Sequence, residues 1–468
     1  MNPWLVGHVL FPLHERLKRK PTFRWLPELE RTQWLAPDRL REFQFRRQRQ
    51  LLEWAYAHVP YYRGVMDEHG LPPHRIASPE DFHRLPFLTR DLIRGRFEEL
   101  RARARLPHVH RRSSGGSTGS PVTIEVDMGR MGIAEAARLR SHRWFGVEPG
   151  AREVLVWGSP LEITRQDRVR DLRDWLLNSR ILPAFDMGED RLPASAAALL
   201  AYRPARIYGY ANAVYLLARY FLREGLPRPE GLRVVFTTAE PLFPYQREAI
   251  AAGFGCPVAE EYGCRDGGLV ALGCPEGGLH VFAEGSYVEI LDPDADGRGE
   301  IVLTCLDSLA FPTIRYRTGD FGAFDPTPCR CGRSLPKIHP VEGRLLDFLV
   351  TPGGRLLHPT SAMHILREIP WVRDSRVVQD AIDHVSVQLV AAAPPDSAAK
   401  AGLLSKFRML LGADIRVDIV ELPALPPTAS GKFRPVESRV GRDTLETMMA
   451  ASRRRPRPAT PEALRHGP

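Results

Sequence analysis

Hydrophobic and polar positions change their period several times along the chain, and these changes predict the elements of the fold. Apolar residues recur at helical spacing over 39–58, and Val59-Pro60 is predicted to end that helix. Further on, short apolar runs typical of strands, at 153–157, 206–210 and 233–238, alternate with helix-like segments at 196–202, 213–222 and 245–252. This alternation predicts an α/β sheet with helices on its faces.

The pattern changes again in the second half of the chain. Residues 280–290 and 300–306 alternate without an intervening helix, which predicts antiparallel strands or a small barrel. The segment Thr351-Pro352-Gly353-Gly354 interrupts any regular element, and a short α+β pattern follows it. We therefore expect an α/β N-terminal domain with a small antiparallel β-subdomain over 1–347, a small mobile α+β domain over 348–450, and a basic, Pro-rich disordered tail over 451–468.

Composition limits the class of protein. A hydrophobic content of 43% and a charged content of 26% over 468 residues are typical of an ordinary globular protein with two domains. The net charge of +9 is not concentrated in an aromatic-studded basic motif, so nucleic acid is not expected as a partner. No apolar run approaches membrane-spanning length, and the stretch Trp4–Phe11 lacks the features of a signal peptide, so a cytoplasmic location is expected.

A loop rich in glycine and serine lies at 112–127, with the sequence RSSGGSTGSPVTIEVD. Glycine permits close backbone approach, so such a loop can direct N–H groups and hydroxyls at phosphate oxygens. The candidate phosphate-binding residues are Ser114, Gly116, Ser117, Thr118 and Gly119. The loop is not a Walker A motif, because no Gly-Lys-Ser/Thr follows and no strand is evident before it. Taken alone, it is equally compatible with a flexible linker.

Four more motifs follow the loop in a fixed order. They are Tyr262-Gly263-Cys264-Arg265-Asp266, Tyr316-Arg317-Thr318-Gly319-Asp320, Gly343-Arg344-Leu345-Leu346-Asp347 and Pro427-Thr428-Ala429-Ser430-Gly431-Lys432-Phe433-Arg434. Together with the loop, they resemble the adenylate-forming (acyl-CoA synthetase-like) superfamily. The nearest resemblance is to the phenylacetate–coenzyme A ligases and their capsular-polysaccharide-associated relatives, and it covers most of the chain.

The resemblance implies that a carboxylic acid, aryl or arylacetic in this branch, attacks the α-phosphate of ATP. The acyl group then passes to the thiol of coenzyme A. Charge gathers on phosphate oxygens in the first step, so the site needs N–H donors, hydroxyls, a cation and Mg²⁺. Three alternatives stay open: a carrier-protein thiol as acceptor, a non-thiol acceptor, and a catalytically impaired homologue that binds nucleotide. The oligomeric state is also open, a dimer included.

The resemblance also implies roles for single residues around the nucleotide. Asp320 would accept both ribose hydroxyls, and Tyr262, with Gly263 beside it, would lie against the adenine. Glu240, in Thr238-Ala239-Glu240-Pro241, would lie next to the adenine, although Ala239 stands where glycine is usual. Arg344 would reach ribose or phosphate through its guanidinium.

Catalysis would depend on Lys432 and Asp266. Lys432 would move in to neutralise the α-phosphate and then leave for thioester formation, with Asp347 at the hinge. Asp266 stands where the family usually has glutamate, and would bind Mg²⁺. Ser120 stands where lysine is usual, and Arg265, which stands where threonine is usual, could replace that charge.

Four further residues form a candidate zinc site. Cys274 and His280 are close in sequence, and Cys329 and Cys331 lie on a Pro-rich turn. Both pairs belong to the antiparallel section, so they could converge on one structural Cys₃His centre. Because the spacing is not the common C-x₂-C, free cysteines are an equally good interpretation.

Overall fold

The computed structural model describes residues 1–113, 122–157, 167–184, 191–341, 343–344, 349–352, 356–357, 362–363, 365–366, 369–412, 414–425 and 435–440. These residues form two compact units, one ending before Gly343 and the other beginning there. The sequence placed this boundary slightly later, after residue 347. The mobility predicted for the second unit stays a prediction.

The first unit begins with helices. Its helical segments are Pro3–Leu5, Val6–Leu10 (a π-helix), Phe11–Leu17, Thr22–Thr32, Pro37–His58, Pro60–Glu68, Pro73–Arg75 (a 3₁₀-helix), Pro79–His83, Arg90–Gly95, Phe97–Leu100, Met128–Trp144, Asp167–Leu176, Leu192–Tyr202, Ala211–Arg223 and Pro244–Phe254. The predicted helix end at Val59 is confirmed, but a new helix starts at Pro60, since proline is tolerated in a first helical turn. Thr89 caps the helix that begins at Arg90, accepting a hydrogen bond from the backbone N–H of Leu92.

A nine-stranded sheet is the centre of the first unit and confirms the predicted α/β class. Its order is Phe324–Asp325, Lys337–Ile338, Leu279–Val281, Gly268–Gly273, Val258–Cys264, Val234–Thr238, Arg206–Tyr210, Glu153–Trp157 and Ser179–Pro183. The last five of these pair in parallel and the others antiparallel. The carboxyl ends of the parallel strands therefore share one edge, where ligands bind in open α/β sheets.

An antiparallel sheet accompanies the large one, as the sequence predicted. It contains the strands Ser286–Leu291, Gly299–Cys305 and Thr313–Gly322. The motif Tyr316–Asp320 lies inside the last of these strands. Its polar side chains continue the burial pattern of that strand: Tyr316, Thr318 and Asp320 are all buried.

The Gly/Ser-rich loop is flanked by two paired strands. His110–Ser113 runs antiparallel to Thr123–Val126, with Ser113 opposite Thr123. The expectation that no strand precedes the loop is therefore wrong. All four residues of His110–Ser113 are exposed, so this strand carries no hydrophobic pattern that could reveal it.

The second unit has its own sheet and core. The strands Arg416–Glu421, His384–Ala391, Val372–Ala381 and Val436–Ser438 lie in that order, and Leu349–Val350 pairs with Leu356–Leu357. The helix Ser397–Leu411 begins at Asp396, whose carboxylate accepts the N–H of Ala399 at 2.7 Å. Its buried face, with Leu403 and Phe407, completes the core of the predicted small α+β fold.

Candidate active site

Tyr262 and Asp320 meet between the two sheets of the first unit. The Tyr262 hydroxyl donates a hydrogen bond of 3.0 Å to Oδ2 of Asp320. Asp320 is in turn fixed by its backbone N–H, which donates to the Thr318 hydroxyl at 3.0 Å. Burial, with the neighbouring Asp320 carboxylate, raises the pKa of Tyr262. The structure thus brings together two residues that are far apart in sequence and that the resemblance assigns to adenine and ribose.

Gly263 is explained by a close approach of two strands. A β-carbon at this position would lie 2.7 Å from the carbonyl oxygen of Gly268 on the adjacent strand. Any side chain here would push the strand carrying Tyr262 away from its neighbour. Gly263 therefore allows the close strand pairing that positions Tyr262.

Asp266 is buried in the turn after this strand and is held by three side chains. Its carbonyl oxygen accepts from Arg130 Nη2 at 3.1 Å, and its carboxylate Oδ2 accepts from the Tyr316 hydroxyl. Arg90 Nε lies 3.8 Å from the same Oδ2 and donates to the Tyr316 hydroxyl at 3.1 Å. Mg²⁺ usually keeps several waters and takes one or two carboxylates besides substrate phosphates, so a single aspartate fits a magnesium site. The nearby Arg90 offsets part of its charge.

Positive charge gathers where the Gly/Ser-rich loop begins. Arg265 is exposed, and its Nη1 donates to the carbonyl oxygen of Ser113 at 2.8 Å. Although the Arg112 side chain is exposed overall, partial desolvation of its guanidinium and the nearby cations of Arg265, Arg130 and Arg138 lower its pKa. Such a cluster favours anions at this position. The suggestion that Arg265 replaces the charge of the lysine missing at Ser120 stays a prediction.

Glu240 holds the start of a helix. Its Oε2 accepts the backbone N–H of Asn212 at 2.9 Å, in the first turn of Ala211–Arg223. The preceding Ala239 has φ of 67°, in the left-handed region. The backbone thus keeps the conformation for which glycine is suited, although the side chain differs.

Ala239→Gly should stabilise the protein by about 0.5–1 kcal/mol, because the left-handed conformation costs alanine about 1–2 kcal/mol and the greater freedom of unfolded glycine offsets part of that gain. Urea unfolding would measure the change. Ala252→Gly is the matched control. It makes the same replacement at an exposed position inside the helix Pro244–Phe254 and should destabilise by about 1 kcal/mol. If both Ala239→Gly and Ala252→Gly lowered the stability, the inference that the backbone is strained at Ala239 would be wrong.

Aromatic rings end two adjacent parallel strands at the same edge. Trp157 and Tyr210 are the last residues of their strands, and their rings stack with centroids 4.3 Å apart. The neighbouring Tyr208 is engaged elsewhere, because its hydroxyl donates to Glu261 Oε1 at 2.9 Å, and Arg138 binds the same carboxylate in bidentate fashion. The stacked pair therefore lies at the carboxyl edge of the parallel strands, where ligands bind in open α/β sheets.

The four candidate zinc ligands converge. Sγ of Cys274, Cys329 and Cys331 and a ring nitrogen of His280 all lie within 4.8 Å of one another. The Cys274 and Cys329 sulfurs are 3.6 Å apart, and Cys331 Sγ is 3.2 Å from His280 Nε2. Tetrahedral zinc would require about 3.8 Å between sulfurs and about 3.6 Å between sulfur and nitrogen. His280 Nδ1 lies 3.1 Å from the Leu335 carbonyl oxygen, which can only accept, so Nε2 is left for a metal.

Several predicted residues lie outside the described part of the chain. These are Ser114, Gly116, Ser117, Thr118, Gly119, Ser120, Asp347 and Lys432. Arg344 belongs to the short strand Gly343–Arg344. The roles predicted for all of them stay predictions.

Sequence reasoning missed four residues that build the site: Arg90, Arg130, Arg138 and Tyr316. Tyr316 stands within a motif that carried the resemblance, but nothing in the spacing of Tyr316 or Arg90 indicates the contact with Asp266. Arg130 and Arg138 read as ordinary helix residues. Their partners are more than a hundred positions away, so only the folded chain reveals the contacts.

Comparison with known proteins finds relatives that match most of the chain. A family model described as the CapK C-terminal domain matches residues 349–439. The phenylacetate–coenzyme A ligase of Thermus thermophilus is 28% identical over 360 residues, which cover 74% of this chain and 78% of that protein. Protein CapK of Staphylococcus aureus is 23% identical over 428 residues, covering 89% of this chain and 93% of that protein.

A solved structure shows the same fold. A 2-hydroxyisobutyryl-CoA ligase in the postadenylation state superposes with a TM-score of 0.68 and 21% identity, covering 89% of this chain and 92% of that one. The fold is therefore that of the adenylate-forming ligases. In sequence, the chain is similar to the phenylacetate–coenzyme A ligases and to CapK.

Proposed function

We propose that this protein is an ATP-dependent, AMP-forming ligase that activates a carboxylic acid and transfers the acyl group to the thiol of coenzyme A. The pairing of Tyr262 with Asp320 is the observation that carries the proposal, because it places an aromatic ring beside a carboxylate, and a bound adenosine would use the ring for adenine and the carboxylate for ribose. The cations around Arg265 lie at the start of the loop expected to bind phosphate. Relatives named as phenylacetate–coenzyme A ligases support the same reaction. ATP and coenzyme A as substrates are consistent with the cytoplasmic location expected from the sequence.

Each residue of the proposed site would have a separate role in adenylation. Asp320 orients ribose, and the loop with Arg265 holds the phosphates so that the acid oxygen can approach the α-phosphorus. Lys432 supplies a charge to the α-phosphate and the leaving pyrophosphate. Mg²⁺, when bound at Asp266, would neutralise further phosphate charge. After this step Lys432 would move out of the site. The thiol could then enter, attack the acyl carbon and displace AMP.

An aromatic acid is the proposed substrate. Trp157 and Tyr210 present stacked rings at the carboxyl edge of the sheet, where a flat acid could pack against them. The acceptor is proposed as coenzyme A. A carrier-protein thiol or a non-thiol nucleophile would use the same adenylate, so these acceptors are the alternatives.

A panel of carboxylic acids tests the function. With ATP and Mg²⁺, aryl or arylacetic acids should give AMP and pyrophosphate, and addition of coenzyme A should give an acyl thioester detectable by mass spectrometry. Pyrophosphate exchange without any thioester would favour another acceptor. Formation of ADP, or no nucleotide turnover with any acid, would overturn the proposal.

We further propose that Cys274, His280, Cys329 and Cys331 hold one structural zinc ion. All four positions are filled by protein ligands, which is typical of closed, non-catalytic sites. The ligands link the turn after Gly268–Gly273 to a segment 55 residues later, near the strand Lys337–Ile338. Zinc would stabilise this antiparallel end of the sheet.

Purified protein should contain about one zinc per chain, and Cys331→Ser should lose it and lower the thermal midpoint by about 5 °C or more, because binding free energy contributes to folding. Plasma mass spectrometry and thermal unfolding measure the two effects. Cys256→Ala, a buried cysteine elsewhere, should keep its zinc. Freshly purified protein with only traces of zinc would contradict the site.

A further inference from the structure

The outer face of the first helical stretch is unusually apolar for a protein surface. Residues 3–17 form one helical run, with a π-turn at Val6–Leu10. Hydrophobic side chains on its outer face are strongly exposed: Trp4 by 64%, Val9 by 44%, Leu13 by 50% and Leu17 by 75%. An apolar patch of this kind usually marks a binding surface.

Close backbone contacts fix which face points outward. A β-carbon on Gly7 would lie 2.1 Å from the Pro149 carbonyl oxygen, and one on Gly150 would lie 2.4 Å from that of Pro3. The helix therefore crosses the turn at 149–150 with its backbone in contact. Val6, Gly7 and Glu15 are buried on the inner face. The apolar residues outside are thus held away from the protein core.

A second helix that lies near the first also exposes apolar side chains. Asp167–Leu176 exposes Leu172 by 57% and Trp175 by 59%. Asn178, just beyond it, donates to the Met1 carbonyl oxygen at 3.2 Å. At the other end of the first helix, Lys18 lies close enough to Arg173 and Asp174 to interact electrostatically with both. Both ends of the first helix therefore lie near the second one.

The charge around this patch is almost entirely positive. Glu15 is the single acid among positions 1–27, and it is buried, accepting from the Thr22 hydroxyl at 2.5 Å. Arg16, Lys18 and Arg19 are exposed beside Leu17. On the second helix Asp174 is buried against Arg173, and Asp171 is exposed. The surface thus joins tryptophan and leucine side chains to a cluster of cations.

We propose that this patch binds the surface of a membrane rich in anionic lipids. Tryptophan and leucine would enter the boundary between headgroups and acyl chains, while the cations meet lipid phosphates. Among the described residues no helix is long and apolar enough to cross a bilayer, so the contact is interfacial.

Charge argues against a second copy of the chain as the occupant. A two-fold interface would bring together the same positively charged patch from both copies, and like charges across an interface are unfavourable. The segment 451–468 is also a poor occupant, because it carries Arg453, Arg454, Arg455 and Arg457. An anionic bilayer supplies both the apolar layer and the opposite charge.

Flotation of the full-length protein with lipid vesicles tests the proposal. Vesicles of equal parts phosphatidylglycerol and phosphatidylcholine should bind the wild type, vesicles of phosphatidylcholine alone should bind it far less, and high salt should release it. The double variant Leu13→Asp, Leu17→Asp should reduce binding about tenfold or more, since it removes two inserting side chains. Lys18→Gln and Arg19→Gln should each reduce it about fivefold.

Controls separate this surface from general stickiness and from misfolding. Leu222→Asp changes an exposed leucine on a different helix and should leave vesicle binding unchanged. Circular dichroism would verify the fold of each variant, and Leu17→Gln is a milder change that should still weaken binding. Wild-type protein that does not float with anionic vesicles would overturn the proposal. So would patch variants that abolish a dimer in sedimentation while vesicle binding persists.

Discussion

Replacing Lys432 by alanine is expected to lower the rate of AMP and pyrophosphate release by about 10²- to 10³-fold, since a charge directed at the developing phosphate oxygens is lost from the transition state. Binding of ATP should weaken far less, because the ribose and adenine contacts stay in place. Single-turnover measurement of adenylate formation would separate these effects.

Two comparisons make this result specific. Lys400→Ala removes a lysine that pairs with Glu421 in the second unit, and should leave adenylation unchanged. Transfer of the acyl group from a preformed adenylate to coenzyme A should survive in Lys432→Ala, because Lys432 is expected to leave before the thiol attacks. If the variant releases pyrophosphate as fast as the wild type, the proposed mechanism is wrong.

Asp320→Asn is expected to lower kcat/KM for ATP by about 10²-fold or more. Two ribose hydroxyls would lose a charged acceptor, and hydrogen bonds to charged groups contribute about 1.5–3 kcal/mol each. The variant should also lose the preference for ATP over 2′,3′-dideoxy-ATP that the wild type should show. Steady-state kinetics with both nucleotides would measure the two effects.

Tyr262→Phe is the matched control for Asp320. It removes the hydroxyl that donates to Asp320 at 3.0 Å but leaves the carboxylate and the aromatic ring. The expected loss is about tenfold or less. Equal losses in the two variants, with the nucleotide preference intact, would mean that Asp320 merely holds Tyr262.

Local patterns predicted the central parallel strands closely, because buried strands carry continuous apolar runs. Glu153–Trp157 and Arg206–Tyr210 lie where the sequence placed them. The strand Ser179–Pro183 was not predicted, since it is short and contains Ser179 and Arg180. Gly268–Gly273 was also missed, because the strand begins and ends with glycine, which is disfavoured in strands.

The candidate site was predicted only as far as its motifs reach. Spacing and resemblance identified Tyr262, Asp320 and the four metal-ligand candidates. In the structure Tyr262 contacts Asp320, and the ligand atoms of the four candidates form a separate group within 4.8 Å of one another. The environment of Asp266 was not predictable, because Arg90 and Tyr316 arrive from distant segments. The retained conformation at Ala239 was equally hidden, since the residue type alone suggests a departure from glycine.

The two-stranded ribbon formed by His110–Ser113 and Thr123–Val126 should unfold locally more readily than the large sheet. Two-stranded ribbons are only marginally stable, and every residue of the first strand is exposed. Its amide hydrogens should therefore exchange with solvent well before those of the buried strand Val234–Thr238. Arg265 donates a hydrogen bond to Ser113, the last residue of His110–Ser113. A bound triphosphate that engaged Arg265 would therefore also slow amide exchange in the ribbon. Amide exchange along the ribbon would thus report nucleotide occupancy without any turnover.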